Sequence, residues 1–244
     1  MTIEIAHSKL SDQIVLRLAC EIVRGSLSPG ESLGSEPELA VSLGVSKPVV
    51  RESFRDLASL GLIRVQHGKR TVVQDASEWN VLDPMVQEAF RIEGRGPELE
   101  QQLYELRMIL ETSSAERAAR RATPEQIAEI TGMAAHLRQI ATDSNDRDEF
   151  LRVDRKFHDA IAKASANEAL RQVIRNVHTF LTLNWTTTSI TGVELDELAG
   201  LHEAIADAIG AGDAERARTA MARHLQHAAD SVLNGLAAPE AHGA

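Results

Sequence analysis

Four polar side chains stand out because each interrupts an apolar stripe. Asp154 and His158 are four residues apart, beside Phe150, Phe157 and Ile161. On a helix that spacing puts both on one face. His202 shares its stripe with Leu198, Ile205 and Ile209, and His224 shares its own with Met221, Leu225 and Ala228. A single histidine in such a stripe reads as a hydrogen-bonded core residue. Four polar groups turned into one interior read differently. Buried separately and left unpaired, each would cost about 1–3 kcal/mol, whereas one shared divalent ion satisfies them all. Three imidazoles and a carboxylate suit Zn²⁺, Ni²⁺ or another transition ion and leave coordination positions open. An open site could also activate water, so a metal-dependent hydrolase or lyase is one alternative and a purely structural ion another. Catalysis would need a base, and Glu203, next to His202, points about 100° away around a helix. No catalytic residue is assigned and the chain is not read as an enzyme. His7, His136, His178 and His227 lack an apolar stripe and are read as surface or incidental positions.

A second constellation lies near the N-terminus. The run Ser46-Lys47-Pro48-Val49-Val50-Arg51 opens a helical segment, and Arg55 follows one turn later on the same face as Arg51. Arginine presents a fork that fits the major-groove edge of guanine, and lysine and serine reach phosphate. Val50, Phe54 and Leu57 fall on the opposite face and should seal a core. His67-Gly68-Lys69 sits between two β-branched runs. As a hairpin tip it could enter a minor groove, the glycine allowing close backbone approach. A solvated basic helix on a protein-docking domain would carry the same pattern.

The elements needed to hold these residues are legible. A helix is expected over 12–25, with Ser11 and Asp12 as N-cap candidates and Gly25 as its stop. A turn at Pro29-Gly30, a helix over 36–43 opened by Ser35, and a helix over 47–60 capped by Ser46 follow. LIRV and RTVV then form a hairpin. Three helices and a hairpin make a winged helix-turn-helix over 1–75. Residues 76–97, with Pro84, Gly94, Gly96 and Pro97, read as a linker with one short helix. From 98 to 237 the texture is helical, with helices expected at 98–122, 124–142, 146–164, 167–187, 194–210 and 213–236. They make an all-helical bundle, followed by a flexible tail over 238–244. The fold class is mainly α.

Composition agrees. The 244 residues are 43% hydrophobic, 25% charged and only 3% aromatic, which disfavours disorder and β-rich architectures. One cysteine, Cys20, excludes an internal disulfide framework. No apolar run approaches the roughly 20 residues of a membrane-spanning helix, and no secretion signal opens the chain. A cytoplasmic location is expected. Net charge is −10, but residues 46–70 hold six cations against Glu52 and Asp56, and the acidic excess falls wholly after residue 75. Screening limits a charge to about 8–10 Å in physiological salt, so the basic island, not the total, is what a phosphate backbone would meet.

The stretch PGESLGSEPELAVSLGVSKPVVRESFRDLASLGLIRVQHGKRTVV resembles the winged helix of GntR-family bacterial regulators, whose usual text runs PG, SE, LA, LGVS, PVRE, GL and GKG. The resemblance implies operator contacts from Ser46, Lys47, Arg51 and the His67-Gly68-Lys69 wing tip. Two positions depart from the pattern: Pro37 stands where an operator-contacting arginine is common, and Lys47 where arginine is usual. Residues 100–230 are similar to the helical FCD effector domain of the FadR subfamily, matching its D-x3-H, EH–AI and M–H signatures at Asp154, His158, His202 and His224. That likeness implies a bound transition metal, zinc or nickel, helping to hold a small carboxylate. Arg107, in ELRMILE, would pair with the carboxylate or else form an exposed ion pair with Glu111. Asn184 would meet effector hydroxyls or simply end a helix. Trp79-Asn80-Val81-Leu82-Asp83 is similar to a stretch in sugar-acid-responsive, galactonate-type members, implying an aldonate effector; it could equally serve packing. The expected molecule is a homodimeric repressor on pseudo-palindromic double-stranded DNA.

Overall fold

The computed structural model describes residues 9–65, 70–184 and 192–237, and the side chains among these except at 179–184, 192–194 and 231–237. The contacts divide the chain into two compact units, residues 1–99 and 100–244. The secondary structure is dominated by helices, with a single short hairpin among the described residues.

In the first unit, α1 (Leu10–Arg24), α2 (Glu36–Leu43) and α3 (Lys47–Ser59) form the helical part of a winged helix-turn-helix. Ser35 accepts from the backbone N–H of Glu38, whose carboxylate returns to Ser35, so a capping box starts α2. Gly44 leaves it with a left-handed φ of 67°. The α1 start differs from expectation. Lys9 occupies the N-cap, while Ser11 is buried and its carbonyl accepts from the Ser53 hydroxyl. Ser11 is thus drawn into the α1–α3 contact instead of serving as a cap. Ser46 occupies the N-cap of α3, but its side chain makes no cap bond.

Strands β1 (Ile63–Arg64) and β2 (Val72–Val73) pair antiparallel, Ile63 opposite Val73. The stretch after Pro29 adds to them: Leu33 N–H donates to Thr71, Val73 N–H to Glu31, and Ser32 bridges Val72. What reads as a plain turn in sequence therefore lends an edge to the wing. Gly61, at φ 73°, lies where an added Cβ would sit 1.9 Å from the Glu78 carbonyl oxygen. The segment after the wing folds onto this unit. Asp83 caps α4 (Pro84–Ile92) through the Met85 N–H, α4 packs on α1, and Trp79 meets Phe90 edge to face at 6.1 Å. The Trp79–Asp83 motif thus has a local structural occupation. Cys20, buried on α1, is a free thiol. Its pKa is pushed up to about 11 by burial and then by the neighbouring Glu93 carboxylate.

The second unit is a bundle. Helix α5 (Gly96–Arg121) crosses the division, and α6 (Pro124–Gln139), α7 (Arg147–Ala164), α8 (Glu168–Asn184), α9 (Gly192–Gly210) and α10 (Ala214–Ala237) follow. Thr123 and Asp213 cap α6 and α10 as expected. Helix α6 stops at Gln139, short of the expected 142, and a wider π turn over Ile140–Ser144 ends at Asn145 with φ 52°. Helix α9 packs on both α6 and α10, and α7 packs on α6 and α8. Phe150, Phe157, Ile161, Leu137, Leu195 and Ile205 are essentially fully buried among them. Among the described residues no helix is long and apolar enough to cross a membrane.

Candidate functional site

The exposed face of α3 carries the predicted basic side chains. Ser46, Lys47, Arg51 and Arg55 are exposed, whereas Val50, Phe54 and Leu57 are at most 3% exposed and hold the helix to its unit. Arg51 is not loose: its Nε donates to Glu36 Oε2 at 3.1 Å, tying the start of α2 to α3. An exposed pair of this kind adds little stability, but it sets the direction of the guanidinium. His67, Gly68 and Lys69 lie outside the described residues.

Asp154, His158, His202 and His224 converge from α7, α9 and α10. One ligand atom from each lies within 4.8 Å of every other, and all four residues are buried. Their orientation follows from local packing. Phe157 stands edge-on to both His158 and His202, at 5.7 and 5.0 Å, and Phe150 stands edge-on to His202 at 5.9 Å. His202 Nδ1 donates to the Leu198 carbonyl one turn back at 2.7 Å, which turns Nε2 toward Asp154 Oδ1, 2.8 Å away. With Nδ1 already carrying a hydrogen, a lone pair at Nε2 would face a carboxylate, so a proton or a metal ion must lie between them. His158 Nε2 and His224 Nε2 are 3.1 Å apart. Nitrogens each about 2.1 Å from one ion lie about 3.4 Å apart in a tetrahedral site and about 3.0 Å apart at the right angles of an octahedral one, and the observed separation falls between the two. The donor set and its spacing fit a divalent transition ion.

The surrounding charges were only partly anticipated. Arg107 and Glu111 do form the i,i+4 pair, at 2.5 Å, but with 5% and 2% of their side chains exposed the pair is buried, not on the surface. Glu111 also sits 2.5 Å from His158 Nδ1 and 2.8 Å from His178 Nε2. His178 is therefore no incidental position: its side chain is 11% exposed and belongs to this network. Glu111, His158 and His178 form a second group of potential ligands sharing His158 with the first. Asn184 ends α8, and its side chain lies outside the described set.

Electrostatics couple the network. Burial penalises the charge on Glu111, yet Arg107 and then His158 and His178 hold its pKa well below the usual value. Burial likewise opposes a charged Asp154, but His158 and His202 outweigh it and keep Asp154 ionised. His158 is pushed up to about 9, the Glu111 and Asp154 carboxylates overcoming its burial, so an ion bound there would have to displace the proton from its Nε2. His224 is driven well below the usual histidine value by burial and by the two neighbouring imidazoles, so it stays neutral and able to ligate. Glu203, the base weighed from the sequence, is held by Arg138 through bonds of 3.1 and 2.7 Å.

Comparison with known proteins places both parts of the chain in one family. Residues 10–73 match the family model described as bacterial regulatory proteins, gntR family, and residues 102–227 match the FCD domain. The chain is 31% identical over 221 residues to the transcriptional regulator LutR of Bacillus subtilis, spanning 88% of this chain and 96% of that one. It is 31% identical to the galactonate operon transcriptional repressor of Escherichia coli, over 67% of this chain and 70% of the relative. It is 32% identical to the repressor NanR of Salmonella schwarzengrund, over 91% and 83%. Two solved structures share the fold. Listeria monocytogenes Lar has a TM-score of 0.56 at 16% identity, covering 91% of this chain and 96% of its own. Escherichia coli McbR/YncC has a TM-score of 0.52 at 22% identity, covering 94% and 100%. Relatives of this kind are transcription regulators, not enzymes. With a winged helix matched at one end and the matched effector domain filling most of the rest, the chain belongs to the GntR family of bacterial regulators, in the FadR-type branch that carries an FCD domain.

Proposed function

We propose that this protein is a homodimeric repressor, acting in the cytoplasm, whose grip on a pseudo-palindromic operator is loosened by a small carboxylate bound beside a divalent ion. In this reading Arg51 forks onto a base edge, Arg55 follows it in the groove, Ser46 and Lys47 take phosphate, and the His67-Gly68-Lys69 tip reaches the adjoining groove. Asp154, His158, His202 and His224 hold the ion, zinc or nickel by donor type. When bound, the ion supplies a Lewis-acidic centre for the effector's carboxylate oxygens.

The residues of the chain do the rest. Phe150 and Phe157 exclude water and fix the imidazole planes. Glu111 takes the Nδ1 side of His158 and leaves Nε2 to the interior. Arg107 meets Glu111 through Nε, and its charge also reaches Asp154. Its terminal amino face is the one suited to an incoming carboxylate. Asn184 is the candidate partner for effector hydroxyls. A hydroxy acid of the aldonate type is favoured, since one relative is a galactonate operon repressor and an ion beside a guanidinium suits a carboxylate flanked by hydroxyls. Effector control then amounts to a difference in affinity for two arrangements of the dimer.

The observation that carries this reading is the convergence of four buried ligand atoms within 4.8 Å. Metal analysis of purified protein, followed by operator titrations with and without D-galactonate and related acids, tests it. The wild type should hold one ion per chain and release operator DNA on addition of an acid. His202→Ala should lose the ion yet still bind the operator. A wild type that takes up no ion from zinc- or nickel-containing buffer would overturn the metal assignment. Operator binding indifferent to every acid would reduce the ion to a structural part.

A further inference from the structure

A groove of about 740 Å³ runs along α7 between α6 and α8. None of the four converging ligands lines it. Its walls carry Arg152, Arg155, Lys156 and Lys163 from α7 and Arg171 and Arg175 from α8, against two acids, Glu129 and Asp159. This happens in a chain whose net charge is −10 and whose acidic excess lies in the same C-terminal part.

Part of this cationic wall is balanced locally. Asp159 grips Arg171 through both carboxylate oxygens, at 2.8 and 2.7 Å, and Arg171, followed by Arg175 and His178, lowers its pKa. Glu129 is 3.8 Å from Lys163. Glu149 and Glu168 pair with Arg152 and Arg171 from outside the walls. Arg155 and Lys156 are exposed, and neither has an ion-pair partner within 4 Å among the described residues. A concave surface of one sign focuses the field and concentrates counter-ions. The volume suits a metabolite-sized ligand. Cations on both facing helices, one turn apart at Arg152 and Lys156 and again at Arg171 and Arg175, suit negative charge spread along a ligand better than one carboxylate.

We propose that this groove is a second anion site, separate from the metal centre, that binds a small polyanion carrying two or more phosphate or carboxylate groups. His178 forms its inner wall and bonds Glu111, so the groove's floor is continuous with the network beneath. The site does not require the metal assignment to hold.

Isothermal titration of the full-length protein with tripolyphosphate, and in a parallel arm with citrate, tests the proposal and separates phosphate from carboxylate ligands. Wild type and the metal-site variant His202→Ala should bind tripolyphosphate equally once both have been freed of metal, and citrate, which the metal centre would also draw, is compared in the His202→Ala background alone. The double variant Arg155→Glu, Lys156→Glu should bind at least about tenfold more weakly, with unchanged circular dichroism. The double variant Arg216→Glu, Arg223→Glu, which removes two exposed cations on α10 and makes the same change in net charge, should bind as wild type. No binding of either probe would overturn the site. Equal weakening in both double variants would reduce it to diffuse attraction. Unaltered probe binding in the groove variant, with weakened operator affinity, would reassign the groove to the DNA backbone.

Discussion

Arg51 is exposed but not unconstrained, because Glu36 holds its Nε. Arg51→Ala should therefore cost roughly 1–3 kcal/mol of operator affinity, read by fluorescence anisotropy, while the melting temperature barely moves. Glu111 behaves in the opposite way. Removing it strands the Arg107 guanidinium in an interior where its side chain is 5% exposed. Glu111→Ala should destabilise the bundle by about 3–5 kcal/mol, measured by denaturant unfolding, although Glu111 touches no expected DNA residue. The four converging ligands were legible in sequence because each broke an apolar stripe on its own helix. Glu111 and His178 were not. Polar and apolar residues surround α5 on every side, so ELRMILE does not reveal that Arg107 and Glu111 face inward. The neighbours Val177 and Ile174 on α8 were the available signal for His178.

At the scale of elements, the helices followed from caps and periodicity. Ser35, Thr123 and Asp213 each begin the helix expected of them. What local reasoning missed depended on distant partners. Ser11 is diverted by Ser53, and the strand-like stretch after Pro29 exists only because Thr71 and Val73 supply its bonds. The wing's base depends on Gly61, where positive φ and the Glu78 carbonyl exclude any side chain. Gly61→Ala should lose at least about 2 kcal/mol through strain and collision. Thermal melting would register it, and a shift under about a degree would contradict the close approach.

For the whole molecule, the basic reading surface on an otherwise acidic chain makes DNA binding a matter of ionic strength. Each phosphate neutralised contributes to the slope of affinity against salt. Lys47→Ala should weaken binding to all sequences alike and flatten that slope by about one contact, as anisotropy at several salt concentrations would show. An unchanged slope would place Lys47 away from the backbone. The change of charge and texture near residue 75 pointed to two parts but not to their boundary: the division falls between 99 and 100, because α4, read from sequence as lying in a linker, packs back on α1. How the parts respond to one another is a property of two surfaces, and no periodicity within either encodes it.

Cys20 gives the experimenter a practical handle. Its sulfur is enclosed beside Glu93 and keeps its proton far above neutrality, so almost none of it is the reactive thiolate that maleimides and air oxidation require. A cysteine placed on the open surface of α10, at Arg223 for instance, would take a fluorophore first, with the native thiol left intact. Effector-driven movement could then be followed on otherwise unaltered protein.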